Sequence, residues 1–388
     1  MAPKRESLDI ARTAGVLREA TRVLVFGTGL DESEKIPEGL DVATLQQLLP
    51  DIEVEKIVGN FTPFLGREPL PKEQCLPQLL PCDHTAKYRT YSGWCNNLQF
   101  PKYGNAFTGM RRLLDPAYGD GFDAPRTRAR SGFDLPSARA ISNSVHQDSP
   151  EFHVKFTHML MQFGQILDHD MMHSPIARVY GSTDCEANQL RLFSQGKLNY
   201  TDLGFNKEAL PQGNQERDCR STLSSREKSN EQPGLTVVHT ILLREHNRIA
   251  SELRRVNNFW TDEQLYQEAR RINVAKIQHV IFKEWLPVVL GCEAMSKYDL
   301  MPKKSGYFTG YDPHCDPAIS QEMSTSAFRF GHTLIRSKFP RMNDIFKNMT
   351  DAIELKDHFG NPSPLYDHKV GHMESMLMGL VGAERCQI

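Results

Sequence analysis

Apolar positions recur at helical spacing in several long stretches, and regular alternation is rare and short. Residues 7–26 and 41–50 carry a 3.6-residue period, with the glycine-containing turn of 27–39 between them. A third helix is predicted over 152–173, with Phe156, Leu160, Phe163 and Leu167 as its core-facing stripe. A fourth runs over 235–256 after Pro233-Gly234 and carries Val238, Leu242 and Ile249. The Thr261-Asp262-Glu263-Gln264 run is a capping-box start for a fifth, which continues through Leu265, Ala269, Ile272 and Ala275 toward Trp285 and Pro287. A last helix is expected over 317–336. Between Pro71 and Pro136 the chain is rich in Pro, Gly, Asn and Asp without periodicity, which predicts a long ordered loop. The expected class is mainly α, with residues 1–80 as a partly helical lead-in and 81–388 as the principal domain.

Composition narrows what such a fold does. With 46 basic and 48 acidic residues the formal net charge is −2, which gives no electrostatic footprint for nucleic acid. No apolar run approaches the ~20 residues of a bilayer span, so no membrane span is expected. The 8 cysteines include no CxxC pair, which argues against structural zinc, and Cys292 and Cys386 are expected to be buried thiols. Asn60-Phe61-Thr62, Asn199-Tyr200-Thr201 and Asn348-Met349-Thr350 are glycosylation sequons suited to a secreted protein, whereas the first residues have no apolar signal-peptide core.

Candidate chemistry concentrates in two places. On a helix, Gln165, Asp168 and His169 fall on one face because residues three and four apart are neighbours, and Asp170 points elsewhere. Far downstream, His332 follows Phe328-Arg329-Phe330-Gly331, where a glycine leaves room for a flat ring beside the backbone. Alone, His332 reads as a satisfied core histidine, as His239 and His246 do; Trp94, Trp260 and Trp285 read as core aromatics. His169 and His173 are four apart, as helical zinc ligands are, but no glutamate lies between them.

Taken together, the segments KYRTYSGWCNNL (87–98), RRLLDPAY (111–118), DAPR (123–126), LPSAR (135–139), GQILDHD (164–170), NEQPGL (230–235), LREHNR (243–248) and FRFGHT (328–333) resemble the animal-type haem peroxidases. The resemblance implies a helical haem-peroxidase core over 81–388 and an extracellular enzyme that reduces hydrogen peroxide, oxidises an organic or halide donor and serves in the response to oxidative stress. His169 matches the distal proton acceptor and His332 the haem-iron ligand. Asp168 and Glu231 match the carboxylates that form ester links to b-type haem. Gln165 matches the distal glutamine, Asp170 a calcium ligand, and Cys82 with Cys95 a disulfide. Gln232 stands where myeloperoxidase has the methionine of a third haem link, so that link is not expected.

Three departures accompany the matches. Lys228 occupies the position of the family's distal catalytic arginine, which keeps the charge but loses the planar fork. The chain passes almost directly from Ile176 to Val179, omitting most of the calcium loop, so a complete calcium site is not expected. It also ends at Ile388, before the family's Arg-Gly-x-Asp-His-Gly segment. These departures suggest an internally and C-terminally shortened peroxidase, with an alternative in which an impaired member acts as an extracellular binding or adhesion protein.

Overall fold

The computed structural model describes residues 81–106, 110–115, 117–119, 125–146, 155–173, 177–204, 207–211, 231–349, 352–361, 363–366 and 372–382. The expected helices at 7–26 and 41–50, the lead-in as a whole, Lys228 and Cys386 lie outside these residues. The chain divides into two compact units, Met1–Gln74 with Ala117–Leu135, and Cys75–Pro116 with Pro136–Ile388. Of the first, the described part is a stretch without helix in which Arg128 and Asp134 form an antiparallel bridge and a 3.4 Å ion pair.

The second unit is mainly α. Its helices are α1 (Ala138–Val145), α2 (Met159–His173), α3 (Ala177–Tyr180), α4 (Asp184–Leu190), α5 (Pro233–Val256), α6 (Asp262–Val280), α7 (Leu286–Lys297), α8 (Gln321–Thr325) and α9 (His372–Gly382). Two minimal antiparallel pairs complete it: β1 (Thr201–Asp202) with β2 (Glu208–Ala209), and β3 (Lys338–Phe339) with β4 (Ile353–Glu354). Described parts of the expected loop between Pro71 and Pro136 contain no helix or paired strand. The Cys82–Cys95 disulfide ties the start of that loop.

Helix α5 is the axis of the unit and packs against α2, α6 and α9. Gln232 caps it and Pro233 opens it, where a missing N–H costs nothing. One cluster joins Leu243 to Tyr180, Tyr266 and Ile277; another joins Val237 to Phe339, Ile353, Met376 and Leu380. The predicted capping box forms at Thr261 and Gln264. Between α6 and α7 the helix widens into a π turn, Ile281–Trp285. Pro287 has no N–H and its ring crowds the carbonyl four residues back, so the α ladder cannot pass unchanged.

Three expectations are corrected. The stripe of α2 is only part of what the helix buries: Phe163 packs on the Tyr180–Leu243 cluster as expected, but Met161, Gln162, Gly164 and Ile166 are buried more deeply than Leu160, Phe163 and Leu167, which are half-buried. The helix is enclosed on more than one side, so no single apolar stripe marks its interior. The single helix over 317–336 is instead α8 followed by a 3-10 segment, Ala327–Leu334. Thr325 turns its hydroxyl onto the Gln321 carbonyl at 2.8 Å, a competition with the backbone that weakens helix continuation, and Gly331 weakens it further. Cys292 is an exposed free thiol rather than a buried one.

Candidate functional site

Within the second unit a cavity of about 480 Å³ is walled by two segments far apart in sequence. Helix α2 contributes Leu160, Met161, Gly164, Gln165, Asp168 and His169, a spacing that repeats one helical face. The 3-10 segment contributes Phe328 through His332 and Leu334. Glu231 and Gln232, at the entry to α5, line it as well, with Trp285 from the π turn. Five of the sequence-identified residues, Gln165, Asp168, His169, Glu231 and His332, therefore meet in one space. Asp170 is half-buried on α2 and is not among the lining residues, and among the described residues no group of three or more His, Cys, Asp or Glu side chains is gathered to hold a metal ion.

The α2 wall is buried and tightly held. Asp168 is 3% exposed and accepts a 2.9 Å hydrogen bond from the Arg329 guanidinium, an ion pair that joins the two walls. His169 is 7% exposed, with Nε2 3.4 Å from a Glu231 carboxylate oxygen. Gln165 accepts from Gln162 at 3.0 Å and from Gln232 at 2.7 Å, while Gln232 also donates to Gln162 at 2.6 Å and accepts from the Gly234 N–H at 2.7 Å. Gly164 admits Trp285: a Cβ at that position would stand 3.0 Å from the indole ring, whose N–H donates to the Leu160 carbonyl at 3.0 Å.

The opposite wall is more open. His332 is exposed, yet burial against the wall and then the Arg329 charge hold its imidazole below the ordinary pKa, with Asp168 and Glu231 acting in the other direction. Beside it, a Cβ built at Gly331 would meet nothing within 4 Å, so a flat group can approach the backbone there.

Arg329, Trp285 and Gln162 are the lining or supporting residues that the sequence reading passed over. Arg329 and Gln162 lie inside or beside the quoted motifs, but no local pattern says that a guanidinium crosses to Asp168. Trp285 read as core, and it is buried at 5% exposure, yet one side of it lines the cavity.

The fold and this pocket define a mainly α protein built around one cavity that joins distant segments. The pattern of the family described as animal haem peroxidase matches residues 88–178 and 176–387, and the chain belongs to that family. It is 32% identical to Peroxidasin of Drosophila melanogaster over 69% of this chain and 23% of that protein, and 30% identical to Heme peroxidase 2 of Caenorhabditis elegans over 77% and 52%. The chain thus spans about half or less of the length of these relatives. Among solved structures, Peroxidase A from Dictyostelium discoideum superposes with a TM-score of 0.62 at 24% identity, covering 78% of this chain and 69% of that one. A fatty acid alpha-dioxygenase from Oryza sativa superposes at 0.59 with 15% identity, a likeness of fold.

Proposed function

We propose that the chain is a haem-dependent peroxidase, reducing hydrogen peroxide at the expense of an organic or halide donor, outside the cell and in the response to oxidative stress. The observation that carries this reading is the meeting of Gln165, Asp168, His169, Glu231 and His332, from three separated segments, in one cavity. The cavity suits a large flat ligand in volume, in its apolar Leu160, Trp285 and Phe328 lining, and in the open space beside Gly331. Bound haem would supply the two-electron exchange with peroxide, which side chains alone cannot perform.

The residues divide the remaining work. His332 would hold the iron. His169, on the other wall, takes the proton from one peroxide oxygen at Nε2 and returns it to the departing oxygen. Gln165 would hydrogen-bond peroxide or a halide, and Lys228 would supply the positive charge that favours the departing oxygen. Asp168 and Glu231 are the carboxylates that would esterify the ring, and the Arg329 guanidinium, 2.9 Å from Asp168, holds that carboxylate in place at the cavity wall. Asp170 is the remaining candidate calcium ligand. Extracellular residence is supported by the Cys82–Cys95 disulfide, since such bonds persist in oxidising compartments.

The test is to load the purified chain with haem and follow peroxide-dependent oxidation of a phenolic donor and of bromide. A haem absorption band, turnover dependent on peroxide, and pigment that resists acidified organic solvent are expected. A chain that takes up no haem would overturn the reading.

A further inference from the structure

Three glutamine amides at the cavity wall have their direction set by one backbone N–H. Gly234 N–H can only donate, so the Gln232 atom 2.7 Å away is its oxygen and the NH2 of Gln232 faces the other way. There it meets the amide ends of Gln162 and Gln165, which must both present oxygen to it. The NH2 of Gln162 then also falls on the Gln165 oxygen. Both lone pairs of that oxygen are filled, and a flipped Gln165 would set its N–H groups against two donors. Its NH2 is left over, with no hydrogen-bond partner among the described residues, on a side chain that lines the cavity beside His169. Gly234 also makes room for the cluster, because a Cβ there would lie 2.6 Å from the Gln162 oxygen.

We infer that Gln232 is a positioning residue: acting with Gln162 on Gln165, it fixes this part of the cavity wall as a hydrogen-bond donor, which selects a small anion or another lone-pair acceptor over a ligand that must donate. The amide direction belongs to the chain with or without haem, whereas its consequence for peroxide and halide rests on the function proposed above. Gln232→Glu isolates the effect, since a carboxylate still accepts from Gly234 N–H but cannot donate to either glutamine. Both amides should then turn, and Gln165 should show its oxygen to the cavity. Gln232→Met, which adds no charge, separates loss of the donor from simple repulsion of anions.

The experiment is side-chain amide NMR of the full chain, labelled with 15N at glutamine and read with and without haem, with the Gln165 signal assigned through Gln165→Met. In the unmodified chain the Gln165 NH2 should exchange with water at least ~10-fold faster than those of Gln162 and Gln232 and should shift with sodium bromide. Those two are shielded, being 0% and 5% exposed. In Gln232→Glu the Gln165 NH2 should become protected and bromide should bind about 10–100-fold more weakly, the range for losing a hydrogen bond to a charged group. Gln232→Met should weaken bromide by a smaller factor, about 3-fold, because Gln162 can still donate. A Gln165 NH2 as protected as that of Gln162, or a bromide response equal in all three chains, would overturn the assignment. Failure to bind haem would instead remove the proposed function and leave the exchange contrast to be read in the haem-free chain.

Discussion

The two walls of the cavity are built differently. On one side stand residues of a regular α-helix and a capped helix entry, with Gln162, Asp168, His169 and Gln232 all buried. On the other stands the 3-10 segment Ala327–Leu334, in which no residue is fully buried and Phe330 is 42% exposed. Proton transfer and hydrogen bonding demand fixed directions, and the first wall supplies them through packing against α5 and through the amide cluster. The second is tied to the rest of the unit through its packing on α2 and α8, through Phe328 against Trp285, 6.0 Å between ring centres, and through Arg329 on Asp168. Such a wall gains most from a ligand that fills the cavity, because a group bound only by the folded state adds its binding energy to the fold.

The sharpest way to break this contrast is at Trp285, which spans from α2 to the second wall. Trp285→Ala removes a buried indole, its hydrogen bond to Leu160 and its contact with Phe328, and should cost about 3–5 kcal/mol in denaturant unfolding. Acid should next weaken the start of the α2 wall. His158 is 1% exposed, neither ring nitrogen has a hydrogen-bond partner among the described residues, and burial, then the Arg336 charge, lowers its pKa to about 3. The folded state therefore refuses a proton that the unfolded chain accepts near 6.5. Its contribution is complete above that value and falls away as pH drops toward 3. Between pH 6 and 4.5 the wild type should lose about 2 kcal/mol more than His158→Phe, which keeps the packing on Phe339 without the titrating group. The smallest effect should be on the open wall, where Phe330→Ala costs under about 1 kcal/mol without haem because the ring is already half in water.

Much of this architecture was legible in the chain. Pro233, the Thr261 capping box and the period of the helix ending at Val256 marked α5 and α6, because caps and prolines act locally. The shared face of Gln165, Asp168 and His169 followed from helical spacing, and their meeting with Glu231 and His332 from the resemblance of the motifs to the family. Less legible was whatever depends on an enclosed polar space. Around a cavity polar positions can be buried as deeply as apolar ones, so Gln162 lies deeper than Phe163 and reading by hydrophobicity captured only part of what α2 buries. The 3-10 form of the His332 segment and the reach of Arg329 to Asp168 arise from tertiary contacts that no window of sequence contains.

The two walls are proposed to have separate tasks, iron ligation by His332 and proton transfer by His169. The direct test is haem titration of His332→Ala and His169→Ala, followed by absorbance and by the rate of reaction with hydrogen peroxide. His332→Ala should lose the haem band, and His169→Ala should keep it while reacting with peroxide about 100-fold or more slowly, the usual contribution of a general acid–base group. Equal loss of bound haem in both variants, or a retained band in His332→Ala, would contradict the division.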